Sequence, residues 1–151
     1  MATGTIQSAI RSESADIAPV SEAVSSFLRA YLEFTSSQPA VSTQAHIAAQ
    51  VRLLDGFMLS ITTAFNDWSL WRGLLRRRYH AVLRREVESA FILYGRHRWY
   101  AENAVGGHEE ISKLRLECDV LDASLETLKE LLWQARSNRS ALLREISSGA
   151  I

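Results

Sequence analysis

A single cysteine, Cys118, excludes an intrachain disulfide and leaves no Cys–Cys spacing for a metal site. Two prolines and seven glycines in 151 residues are too few to punctuate many short strands, so composition leans helical. No run approaches the roughly 18 apolar residues that a membrane-spanning helix requires. The opening stretch MATGTIQSAIRSESAD has no apolar leader. These absences lead to the expectation of a soluble cytoplasmic protein that is neither secreted nor membrane-spanning. Catalytic constellations are also missing. His46, His80, His97 and His108 never fall at the four-residue spacing that sets two imidazoles on one helix face. Gly106-Gly107 lacks the strand and lysine of a phosphate loop. The expectation is therefore a non-enzyme with no metal, cofactor or small-molecule substrate.

What is present is a pattern of helices. Apolar residues make up 47% of the chain and charged residues 23%, the proportions of an ordinary folded domain. Residues 1–15 are small and polar and read as a flexible N-terminus. Residues 16–41 hold a first helix, from about Pro19 to about Thr35, followed by a linker. Its apolar residues Val20, Val24, Phe27, Leu28, Tyr31 and Phe34 recur at three- and four-residue steps. Ser42 or Thr43 can cap a second helix, whose seam runs through Ile47, Val51, Leu54, Met58, Ile61, Phe65, Trp68, Leu75, Tyr79 and Val82. Arg72 and Glu86 interrupt that seam, and Ala90 and Tyr94 extend it one position out of register. Gly56, Gly73 and Gly95 are candidate kinks. The last helix repeats three-four steps through Ile111, Leu114, Cys118, Leu121, Leu125, Leu128, Leu132, Ala135, Arg139, Leu142 and Ile146, with Arg139 the one charge. Burying such a stripe requires a partner helix. Residues 42–151 are thus expected to form a long antiparallel hairpin turning at 106–107, and the fold class is all-α. Leu114, Leu121, Leu125, Leu128, Leu132, Arg139 and Leu142 are the expected core or oligomer seam. Leu131, Trp133 and Leu143 fall outside it and are expected to meet another subunit in a homo-oligomer.

The zero net charge conceals an asymmetry. Between Trp68 and Tyr100 eight arginines face two acids, Glu86 and Glu88, while both flanks are acidic. Helical projection puts Trp68, Trp71, Leu75 and Tyr79 on one side and Arg77, Arg78, Arg84, Arg85 and Arg96 broadly opposite. A guanidinium is suited to phosphate because its planar fork donates paired hydrogen bonds and keeps its charge. Arg76, Arg77, Arg78, Arg84, Arg85, Arg96 and Arg98, with Trp99 and Tyr100 as base-stacking candidates, form the candidate nucleic-acid face. The competing reading pairs the arginines with acids of the last helix, such as Glu126 and Glu130. A third assigns them to an anionic membrane surface.

The order of parts resembles the phage recombination-mediator family typified by UvsY. The matching features are Trp68, the cluster from Arg76 to Arg85, Tyr94-Gly95, Asp119-Val120-Leu121 and Arg139. They cover roughly residues 43 to 148. The chain departs from that family in using arginine where lysine is common and in a shorter span between the Asp and the late Arg. The resemblance implies a homo-oligomer, in host cytoplasm for a phage protein, that binds single-stranded DNA and loads a recombinase past a single-strand-binding protein. BAR-type membrane modules share long basic helices, and Trp71-Arg72-Gly73 matches the W-x-G of small secreted helical hairpins. The alternative to the mediator is a structural adaptor whose ligands are protein helices.

Overall fold

The computed structural model describes residues 17–37, 43–94 and 108–149. They form three helices, α1 (Ala18–Ser36), α2 (Gln44–Tyr94) and α3 (Glu109–Ser147), and no strand occurs among the described residues. The fold is all-α, with the long pair α2 and α3 packed together and α1 added to it. The expected turn at Gly106-Gly107, and Gly95, lie outside the described residues.

Local chemistry sets the helix ends. Pro19 occupies the first turn of α1, where its missing N–H costs nothing. The chain leaves α1 at Ser37, whose N–H reaches the Glu33 carbonyl at 3.1 Å. Thr43 caps α2: its hydroxyl oxygen accepts from the His46 N–H at 3.2 Å. Glu109 and Glu110 stand in the first turn of α3 and Arg144 in its last, each complementing the helix dipole. Gly149, at φ 63°, ends the helix in the left-handed conformation that glycine adopts without strain. Gly56 and Gly73 do not interrupt α2, and a Cβ at either would meet nothing within 4 Å.

The chain divides into two compact units. The first combines α1 with α2 up to Asp67 and α3 from Ser124. Ile47, Val51, Leu54, Ala135 and Leu142 form a buried cluster here, with Tyr31, Phe34, Phe57, Met58 and Ile146 packed against it. Phe57 stacks on Tyr31, ring centroids 5.8 Å apart, and meets Phe27 edge-on at 6.2 Å. Val20, Ile61 and Leu128 are fully buried. Two polar links join the helices: Asn138 Nδ2 donates to the Tyr31 hydroxyl, and Arg139 Nε donates to Asp55 Oδ1 at 2.5 Å. Burial raises the pKa of Tyr31, so its hydroxyl stays protonated beside Asn138.

The expected seam needs correcting in this unit. Leu131, expected to face outward, is only 3% exposed, whereas Leu132, expected on the seam, is half-buried. Ser124, Leu125, Leu128, Leu131 and Ala135 are all buried, a wider stripe than one partner helix would cover. A helix in a three-helix unit buries such a widened face. Arg139 is the charged seam position, and Asp55 is its partner.

Among its described residues the second unit, Trp68–Ala123, comprises segments of two helices, α2 and α3. Trp68, Trp71, Leu75, Val82 and Ala90 on α2, and Ile111, Leu114, Cys118 and Leu121 on α3, are buried. Arg72 pairs with Asp122, whereas Glu86 faces His108 and Arg85 faces Glu110, so the two segments run antiparallel. The two polar interruptions of the α2 seam, Arg72 and Glu86, are thus positions where charge meets a polar group of α3 or of the residue just before it.

Candidate helix-binding and phosphate-binding faces

Trp68 and Trp71, two of the three tryptophans of the arginine-rich region, belong to the interior. Trp68 is fully buried, its indole N–H without a hydrogen-bond partner among the described residues, and Trp71 is nearly so. Neither offers a face for a base. Trp99, Tyr100, Arg96 and Arg98 lie outside the described residues, as do the structural consequences of those assignments.

The remaining arginines separate into two sets. Arg78 and Arg85 both approach Glu110 at 3.6 Å, and Arg85 also meets Glu86 at 3.1 Å. Long side chains that project outward on a wheel curl back here to acids flanking the seam. Glu126 and Glu130, named as partners in the pairing alternative, are occupied elsewhere. Glu126 meets Lys129 at 3.7 Å, and Glu130 accepts a hydrogen bond from Gln134 at 3.1 Å. Arg76 lies near Cys118, where its charge opposes without outweighing the upward push that burial and Asp122 give the thiol pKa. Arg77 and Arg84, seven residues apart, are exposed and have no ion-pair partner among the described residues.

Around those two the outer surface is not purely charged. Leu70, Leu74 and Phe91 on α2, and Leu116 on α3, are exposed, Leu70 and Leu116 by 62% and 63%. On α3 Trp133 is 65% exposed, and Leu143 is also exposed. Leu70, Leu74, Arg77, Ala81, Arg84, Glu88 and Phe91 recur at four- and three-residue steps and are all exposed. The backs of the helices therefore carry a second heptad stripe besides the buried one.

Other features offer less chemistry. Cys118 is buried, and burial followed by the nearby Asp122 pushes its thiol pKa up, so the nucleophilic thiolate is disfavoured. In the first unit a cleft of about 400 Å³ is lined by Ala30, Tyr31, Phe34, Leu53, Leu54 and Phe57. Glu33 and Ser37 also line it; the Tyr31 hydroxyl is engaged by Asn138, and the Ser37 hydroxyl donates to the Phe34 carbonyl. No group of three His, Cys, Asp or Glu side chains among the described residues is placed to hold a metal ion. No described helix is long and apolar enough to cross a membrane. Comparison with known proteins returns no matching family model, no matching curated protein and no matching solved structure.

Proposed function

We propose that this chain is a non-catalytic assembly protein whose ligands are other helices, with the two-helix unit presenting the docking surface. The observation that carries this reading is the second, outward heptad stripe of α2, exposed throughout and bearing Leu70, Leu74 and Phe91. Large apolar side chains at heptad spacing on a solvent-facing helix back are costly to leave in water and favour a helical partner. Sedimentation velocity on the purified chain tests this. The expected result is a species heavier than the 17.0 kDa chain at micromolar concentration. A monomer at all such concentrations would remove the reading.

A second reading, binding of single-stranded DNA as a recombination mediator, is favoured by Arg77 and Arg84, which are exposed and unpaired among the described residues. On that reading affinity for a fluorescent single strand falls with salt at a log–log slope of about −0.7 per phosphate contact. Binding that is absent at physiological salt would rule it out.

A further inference from the structure

We infer that the outer stripe of α2 takes an amphipathic helix whose seam carries two acids one heptad apart, with apolar residues at the levels around them. This rests on the assembly reading above and names the chemistry of the partner. The stripe lies wholly within the two-helix unit. From Leu70 and Leu74 it runs through Arg77, Ala81, Arg84 and Glu88 to Phe91, and every level is exposed. Three acids of the unit are already engaged. Asp122 holds Arg72, Glu110 faces Arg78 and Arg85, and Glu86 faces Arg85 and His108. Arg77 and Arg84 are left without an ion-pair partner among the described residues, and Arg76 and His80 are exposed beside them. An acid facing each arginine completes the two charge pairs, and Ala81 between them leaves room for a large apolar side chain. The two arginines are seven residues apart, so the partner's acids are spaced by one heptad whichever way its chain runs.

The order of levels favours a helix over other anionic ligands. Phosphates satisfy the two arginines but leave Leu70 and Leu74 uncovered, and Glu88 meets them as a like charge. A bilayer surface covers the leucines, but a helix lying in such a surface keeps its charges off the inserted face. Here three of the seven levels are charged, and one of those charges is negative. A partner helix offers its own side chain to each level in turn, so apolar and charged positions are matched separately.

Two helical peptides of about four heptads test this. Each has a leucine seam interrupted at two levels one heptad apart, by glutamate in one peptide and by lysine in the other. Fluorescence anisotropy of the labelled peptides measures binding to the whole chain. The glutamate peptide is expected to bind at least about tenfold more tightly than the lysine peptide, because like charges at facing positions are disfavoured. A chain with Arg77→Glu and Arg84→Glu, its helicity unchanged by circular dichroism, is expected to reverse that preference. A glutamate preference that survives those two changes overturns the inference, since the acids then meet other cations. Equal binding of the two peptides, abolished by Leu74→Asp, overturns the acidic partner and leaves the assembly reading standing. Binding of neither peptide also overturns it, and the sedimentation mass of the wild type then decides the assembly reading separately. Binding of a fluorescent single strand or of phosphatidylserine vesicles, lost in the Arg77→Glu and Arg84→Glu chain and with neither peptide bound, overturns the inference in favour of a phosphate-bearing ligand.

Discussion

The two units solve the same burial problem with different means. In the first, α1 supplies a third helix, and α3 buries a widened stripe that includes Leu131 and Ser124. In the second, each helix has one partner among the described residues, and the apolar seam of Trp68, Leu75, Val82, Leu114 and Leu121 is flanked by Arg72–Asp122 and the Arg78–Glu110–Arg85–Glu86 group. A helix with a single neighbour leaves its back to solvent. It must be polar there, or it must find a partner outside the chain. The back of α2 is only partly polar, and the assembly reading starts from that fact.

The largest effect is expected at Trp68. It is the largest side chain that is fully buried, and Trp68→Ala should cost about 3–5 kcal/mol, read as a shift in urea midpoint. A cost near zero would mean that the two-helix unit contributes little to the folding cooperativity of the chain. Leu128→Ala, in the three-helix unit, should cost about 2–5 kcal/mol by the same loss of contacts and the same cavity. Amide exchange sharpens the contrast. In a monomeric variant, α2 amides from Leu75 to Val82 should exchange faster than those from Val51 to Ile61, because fewer packed neighbours oppose local opening. Equal rates would erase the distinction drawn between the units.

Smaller effects test the polar positions and the glycines. The Arg139–Asp55 pair is roughly half-exposed on both sides, so Arg139→Leu should change stability by less than about 1 kcal/mol in either direction. A loss several times larger would show that the pair fixes helix register rather than decorating the surface. Gly56→Ala should raise stability by about 0.5–1 kcal/mol, since the added Cβ points into open space and the helix gains propensity. Destabilisation at that site would show that α2 requires a flexible point there.

The helices themselves were legible because their seams are long and regular. Pro19 to Thr35 locates α1 within a residue at each end, and Thr43 marks the start of α2. Leu131 was misplaced because a single three-four stripe describes one contact face, and the second face arises only when a third helix packs alongside. The partners of Arg78 and Arg85 were not legible for a related reason. A helical wheel gives the direction of Cβ, whereas a guanidinium several bonds away reaches whichever acid the antiparallel register brings near, here Glu110 and not Glu126. The buried placement of Trp68 followed from its position on the seam. The outward stripe of α2 is legible in the sequence only as a row of arginines, because spacing alone does not say that Leu70 and Leu74 are exposed. Its exposed leucines became apparent once their burial was known.

The central claim is that the two-helix unit docks other helices, further copies of this chain among them, through exposed apolar side chains that include Leu74 of α2 and Leu116 of α3. Sedimentation velocity across the micromolar range, comparing the wild type with Leu74→Asp and Leu116→Asp, addresses it most directly. Both leucines are exposed within one chain, so either change should leave helicity intact. The account predicts a wild-type mass that grows with concentration and two variants that remain near 17.0 kDa. Variants that associate as strongly as the wild type, or a wild type that never exceeds the monomer mass, would contradict it.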